Sequence, residues 1–244
     1  MMQLQHNSVI PLYHQLKEIL KASIDNGIWN PGDKIPSENE LMSQYEVSRN
    51  TAKKAIEELV QDGILYRVQG KGTFVSKPKL EQSLTNFYSF SKVLKEKGMN
   101  PSDTLLNIEN VFPTSKMKEA LELSDGESVI EIKRLRSANK EPFILESSFL
   151  PSKFIKDIHV LNRIGTISLY DLLDEEFNIT VSRAKEAFEP VLIRDNESNY
   201  LETEVGKPAL LIERIAYTDK GVPIEFCKSI VRGDRCRFYT ELTK

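Results

Sequence analysis

The chain has 244 residues, enough for one large or two modest domains. Its 33 Lys+Arg against 36 Asp+Glu leave a net charge of −3, which argues against a basic nucleic-acid coat protein, and 40% hydrophobic with 28% charged residues argues against a disordered chain. No apolar run of about 18 residues is present, and Met1 to Ile10 lacks a basic region followed by an apolar core, so neither a membrane span nor a signal peptide is expected.

Residues 11–80 read as a small helical unit followed by a hairpin. Pro11 suits the first helical position, Leu12, Leu16, Ile19, Leu20 and Ile24 recur on one helical face, and Gly27 stops the helix. Ser37-Glu38-Asn39-Glu40 is a capping box opening a short helix that turns Leu41, Met42 and Tyr45 inward. Ser48 is the expected cap of a third helix with the inward stripe Ala52, Ile56, Leu59 and Val60, ended by Gly63. Two short helices across a tight turn have the shape of a helix-turn-helix. The period then becomes alternating: Ile64 to Val68 and Thr73 to Ser76 are strand-like and joined by Gln69-Gly70-Lys71-Gly72, a two-stranded wing.

Charge is unevenly spread. Residues 1–46 carry three basic and six acidic side chains, whereas residues 47–80 carry seven basic and three acidic. The third helix is basic or amide-bearing at its start (Arg49, Asn50, Lys53, Lys54) and acidic at its end (Glu57, Glu58, Asp62). A polyanion is expected at the N-terminal end, where the macrodipole and free amides favour it.

A linker is expected at 77–86, around Lys77-Pro78-Lys79, and residues 87–244 alternate strands with short helices. Helices are predicted over Phe87 to Lys97 and Ser115 to Leu123. Ile132-Lys133-Arg134 leading through Asn139-Lys140 to Pro142-Phe143 is echoed by Ile212-Glu213-Arg214 leading through Asp219-Lys220 to Pro223-Ile224. This repeat predicts two β-hairpins and an antiparallel sheet of two similar halves. Arg134 and Arg136 are two apart on a strand, so both guanidinia face one way, together with Ile132 and Ala138. Such a pair calls for an anion: a ligand phosphate or carboxylate, or Glu146 or Glu225 as a structural salt bridge. Ser168 and Tyr170 open a predicted helix, a further place for an anion, or else serve only as cap and core.

Pro11-Leu12-Tyr13, Trp29-Asn30-Pro31-Gly32, Ile35-Pro36-Ser37-Glu38, Val47-Ser48-Arg49-Asn50-Thr51 and Gln69-Gly70-Lys71-Gly72-Thr73-Phe74-Val75 stand in the order and spacing of the winged helix-turn-helix domain of the GntR transcription-factor family, which residues 9–76 resemble. Residues 87–244 resemble the UTRA effector-binding and dimerisation domain of the HutC branch, whose fold is similar to chorismate lyase. The resemblance is carried by Ser89-Phe90-Ser91, Arg134-Leu135-Arg136, Glu146 to Pro151, Ser168 to Leu173, Pro223-Ile224-Glu225 and Arg232-Gly233-Asp234-Arg235. It implies an α+β protein with an N-terminal winged helix-turn-helix and a C-terminal antiparallel sheet domain with flanking helices.

The resemblance further implies a cytoplasmic homodimer that binds a double-stranded, pseudo-palindromic DNA operator and a small-molecule effector. DNA would be met by Ser37, Ser48, Arg49, Asn50, Thr51, Lys53, Gln69, Gly70, Lys71 and Gly72, with Arg49 suited to guanine and the wing glycines to close approach of the sugar-phosphate. Effector would be met by Ser89, Phe90, Ser91, Arg134, Arg136, Glu146, Ser168, Tyr170 and Glu225. A phosphorylated sugar, in its sharpest form an amino sugar 6-phosphate, leads a non-phosphorylated carboxylate. Many family members carry Arg at the positions of Asn39 and Lys53, and often Tyr near Val231, so operator and effector need not match any one relative.

The opposing reading is an enzyme of the chorismate-lyase fold. Two cysteines nine apart, Cys227 and Cys236, and three scattered histidines, His6, His14 and His159, offer neither metal ligands nor a base. No catalytic residue, metal or cofactor is expected, and an enzyme leaves the winged helix unexplained.

Overall fold

The computed structural model describes residues 4–5, 8–77, 79–84 and 94–242. It divides into two compact units, residues 1–78 and 79–244.

The first unit holds α1 (Leu12–Asp25), α2 (Glu38–Tyr45), α3 (Arg49–Gln61), β1 (Leu65–Val68) and β2 (Gly72–Val75). Pro11 precedes α1 as its cap residue rather than forming its first turn. Leu16 and Leu20 of α1 close on Leu41 of α2 and Ala52, Ala55, Ile56 and Leu59 of α3, together with Leu65 and Val75 of the wing. The expected capping box is formed: the Glu40 amide donates to Ser37 Oγ at 3.3 Å and the Ser37 amide to Glu40 Oε2 at 2.7 Å. Helices α1 and α3 end alike. Gly27 and Gly63, at φ +74° and +72°, take the left-handed step after the helix, and the amides of Ile28 and Ile64 reach back to the carbonyls of Ser23 and Leu59. Lys17 of α1 bridges Glu58 at 3.2 Å and Asp62 at 2.8 Å, so the acidic end of α3 fastens α1. One pairing lay outside the sequence reading: Lys34 bridges Phe74 antiparallel, with the Ile35 amide donating to the Thr73 carbonyl at 3.0 Å, so the α1–α2 loop flanks the wing.

The second unit is a six-stranded antiparallel sheet of two meanders. One is β4 (Pro101–Val111), β5 (Val129–Ala138) and β6 (Glu141–Pro151); the other is β7 (Val181–Leu192), β8 (Pro208–Thr218) and β9 (Pro223–Arg232). They join through β6 and β9, giving the order β4-β5-β6-β9-β8-β7. The repeat thus becomes two halves, each with its hairpin at the expected pair; Asn139 and Lys140 both have positive φ, +50° and +66°, as a two-residue type I′ turn requires. Period-2 alternation splits β6: Phe149 faces Met117, Leu121 and Phe226, while Leu150 faces Ile132, Leu161, Leu169, Leu172 and Leu173. The helices are α4 (Ser115–Ala120), shorter than predicted, α5 (Leu169–Phe177) and α6 (Asp195–Leu201).

Two expectations change. Leu80–Ser83, read as part of the linker 77–86, forms β3, paired in parallel with β10 (Cys236–Tyr239). The polar composition concealed it because the pairing partner lies more than 150 residues on. The helix predicted over Phe87 to Lys97 falls mostly outside the described residues; Leu94 to Glu96 is helical, before Gly98. Arg232 braces the sheet, donating to the carbonyls of Pro142 and Leu201 at 3.2 Å and to Asp234 at 2.8 Å.

Ser48 caps α3 by accepting from the Thr51 amide at 3.2 Å. Ser48→Ala should therefore lower unfolding free energy in urea by about 1 kcal/mol, and Ser48→Gly by only a few tenths. Equal losses for the two variants would show that the hydroxyl does not cap the helix.

Candidate functional site

In the first unit the residues expected to meet DNA occupy the start of α3, the start of α2 and the wing tip. Arg49, Asn50 and Lys53 are exposed, as are Gln69, Gly70, Lys71 and Gly72. Ser37, Ser48 and Thr51 are engaged locally. Ser37 Oγ donates to Glu40 Oε2 at 2.7 Å, and the Ser48 and Thr51 hydroxyls lie 2.9 Å apart. Lys53 is paired with Glu57 at 3.6 Å, and Arg67 with Glu38 at 3.0 Å. Among the described residues, Arg49, Lys54 and Lys71 have no carboxylate partner, leaving their charge for an outside anion. Lys54 instead stands 3.7 Å over the Tyr13 ring. Gly72 stands at φ +125°, which disfavours any side chain there, and a Cβ would also meet the flexible end of Lys34 at 2.6 Å from Cε and displace it. Neither Lys34 nor the Lys54–Tyr13 stack was anticipated, since both depend on contacts between distant segments.

In the second unit a cavity of about 760 Å³ lies on the α5 side of the sheet. Arg134, Arg136, Glu146, Ser168, Tyr170 and Glu225 all line it. Ser89, Phe90 and Ser91 lie outside the described residues. Arg134 and Glu146 are directly opposite across β5 and β6 and form a buried, very short ion pair. Arg134 Nη1 is also 3.6 Å from Asp103. Arg136 reaches Asp103 at 3.2 Å and Glu146 at 3.4 Å, and Ser229 Oγ donates to Glu146 at 3.1 Å. The expectation that the two arginines call for an anion is met from within the chain, by Glu146, as foreseen, and by Asp103, which was not. Register explains the omission: Asp103 stands opposite Arg136 only through β4–β5 pairing, which no local pattern encodes.

A second polar chain crosses the other half. Tyr170 Oη donates to Glu225 at 2.5 Å and accepts from Arg214 at 3.4 Å, while Arg214 Nε donates to Glu186 at 2.7 Å. Arg214 occupies in the second hairpin the place that Arg134 holds in the first, so the repeat carried its signal. Ser168 caps α5 by accepting from the Asp171 amide at 3.2 Å. The lining combines Lys95 and three arginines with five carboxylates, Asp103, Glu146, Asp171, Asp174 and Glu225. The cavity therefore has no cationic excess, and an anion within it must be held by directed hydrogen bonds.

Burial pushes the Glu146 carboxyl up, but the guanidinia of Arg134, Arg136 and Arg214 outweigh burial and hold it at about 2. Burial raises the Tyr170 hydroxyl well above its usual range, and Glu225 beside it adds to the effect. Burial likewise drives the Cys227 thiol well up, so it is protonated and inert at neutral pH.

The family described as bacterial regulatory proteins, gntR family, matches residues 12–75, and the UTRA domain matches residues 96–237. The chain belongs to the GntR family. It is a DNA-binding transcriptional regulator of the GntR/UTRA type, not an enzyme. It is 38% identical to the HTH-type transcriptional repressor NagR of Bacillus subtilis over 97% of both chains. It is 31% identical to the probable fructoselysine utilization operon transcriptional repressor of Escherichia coli over 92% of this chain and 91% of that one. PhnF from Mycobacterium smegmatis shares the architecture, with a TM-score of 0.66 and 25% identity over 96% of this chain and 99% of that one. Among the described residues no helix is long and apolar enough to cross a membrane.

Because Glu146 is depressed in the folded state, its stabilising effect is present above the ordinary carboxylate pKa and is lost as pH falls through about 2. Stability should decline as pH drops from about 5 toward 2, and Glu146→Gln should flatten that decline. At neutral pH the same variant should lose stability in chemical denaturation, by less than the roughly 3–5 kcal/mol of a wholly unpaired buried charge, because Arg134 loses its nearest carboxylate but keeps Asp103 at 3.6 Å. An unchanged acid limb would remove Glu146 from the network's electrostatics.

Proposed function

We propose that the protein is a homodimeric repressor released from a pseudo-palindromic operator when a small phosphorylated sugar, most specifically an amino sugar 6-phosphate, fills the cavity. The observation carrying this reading is the convergence of six of the nine effector residues named from sequence on one cavity of about 760 Å³. The DNA residues expected from sequence meanwhile lie at the start of α2, the start of α3 and the wing tip.

Each role follows from chemistry. Arg49 offers a bidentate fork to guanine, Asn50 an amide to a base edge, and Lys53 and Lys71 charge to phosphate. Thr51 and the caps Ser37 and Ser48 bring hydroxyls and helix-start amides toward the backbone, and Gln69, Gly70 and Gly72 admit it at the wing. In the cavity, Ser168 and Tyr170 at the start of α5 would receive the phosphate together with Arg134 and Arg136, and Ser89, Phe90 and Ser91 would, by family resemblance, add a further wall to the effector site. Glu146 and Glu225 would accept from sugar hydroxyls or an amine. An amino sugar phosphate suits a lining without cationic excess, because it brings its own cation. The relative named for fructoselysine utilization supports a sugar-derived effector. The same charge balance also favours, as a second reading, a non-phosphorylated carboxylate. Release requires that effector bind more tightly to the dimer geometry that does not fit DNA.

Fluorescence anisotropy on a duplex from the gene's own upstream region tests this. Binding should be sequence-specific, weaken steeply with salt, and reverse with glucosamine 6-phosphate. Absence of specific binding even at low salt would sink the repressor reading, and release by a small carboxylate alone would select the second effector. Arg49→Ala should cost about 1–3 kcal/mol and relax base discrimination, whereas Lys71→Ala should weaken all duplexes alike and reduce the salt slope by about 1 per subunit. If Arg134→Ala and Arg136→Ala both respond normally to an effector, the arginines are structural only.

A further inference from the structure

β3 is the first element of the second unit, and four residues of chain separate it from the end of the wing strand β2. Its only strand neighbour among the described residues is β10, paired in parallel, a thin attachment for a segment in that position. Leu80 anchors one end of β3, fully buried against Phe143, Ile144 and Cys236. The backbone is held at its ends, by the Leu80 amide on the Arg235 carbonyl at 2.7 Å and the Leu84 amide on the Tyr239 carbonyl at 2.8 Å. Between them stands Gln82, 2% exposed, opposite Phe238 in the β3–β10 register. Both Gln82 and Phe238 line the cavity. Gln82 Nε2 is buried and has no hydrogen-bond partner among the described residues. A buried amide donor left unpaired is unfavourable, and a cavity large enough for a sugar phosphate lies beside it.

We propose that Gln82 is the residue by which an occupant of the cavity takes hold of β3, so that the effector carries a hydrogen-bond acceptor at the Gln82–Phe238 wall. The inference rests on this cavity being the effector site. It adds a ligand contact and a route of regulation: the bond formed on binding fixes a strand whose chain runs on to the wing. In the empty protein that strand is secured mainly by Leu80 and β10. The same bond would satisfy a polar side chain that is buried on the same face of β3 as the apolar Leu80.

The test uses the full-length protein with Gln82→Met and Gln82→Leu, which keep the side-chain bulk and remove the donor. Three quantities are measured: the ligand-free Tm, the Kd for glucosamine 6-phosphate by calorimetry, and amide hydrogen exchange of residues 80–84 with and without that probe. Both variants should melt at or above the wild-type Tm, bind the probe at least tenfold more weakly, and lose the slowing of exchange that the probe causes in β3 of the wild type. A structural role alone would not change the last two. Wild-type affinity with full protection of β3 in either variant overturns the inference. A wild-type protein blind to glucosamine 6-phosphate overturns the proposed effector instead. The melt then decides Gln82: a Tm below wild type in both variants means the amide already has a partner and the inference falls, whereas a raised Tm sustains it.

Discussion

The pairing of β6 with β9 decides what the second unit can be. It joins two meanders into one sheet and sets Glu146 opposite Ser229, with Arg134 on the strand beyond. A slip of one residue would carry Glu146 to the other face, among Phe149 and Phe226, and leave Arg134 without its nearest carboxylate. Burial on both faces of β6 forbids that slip, since Leu150 and Phe149 each already belong to a packed layer. Packing therefore fixes register, and register fixes the charge pattern of the cavity floor.

That pattern is expensive to bury and is close to balanced. Arg134 and Glu146 are almost fully enclosed, and each is compensated by more than one partner, so neither stands as an isolated charge in a low-dielectric setting. A floor already neutralised does not attract anions indiscriminately. It discriminates by direction, because a ligand must match donors and acceptors whose positions are fixed by their own pairing. The first unit follows the opposite rule. There, several acidic groups of α3 are occupied by Lys17 and Lys53, while Arg49, Lys54 and Lys71 keep their charge for solvent or an outside anion.

What could be read from sequence was local. Ser37 with Glu40, Ser48 with Thr51, and the glycine stops at Gly27 and Gly63 are decided within a few residues, and the structure has them as expected. The repeated hairpins were legible because each half turns at an Asn-Lys or Asp-Lys pair. Six cavity residues were legible through the family motifs. The remainder depends on separation along the chain. β3 needs β10, the Lys34–Phe74 bridge needs the wing folded back, and Asp103 becomes a partner of Arg136 only once β4 lies on β5. None of these has a local energetic signature, because the favourable contact lies on a strand that sequence order does not bring near. Arg214 falls between the two cases: the repeat marked its position, but its hydrogen bond to Tyr170 is a tertiary fact.

The outer strand β7 has twelve residues, with Arg183, Lys185 and Glu189 along it and Pro190 opposite Leu210. Proline offers no amide to a further strand, and the charges would have to be matched and desolvated by any chain laid alongside. A long edge of apolar sequence is a template for adding further strands, and the charges and the proline along β7 disfavour such pairing, so this edge is a place where the sheet ends rather than grows.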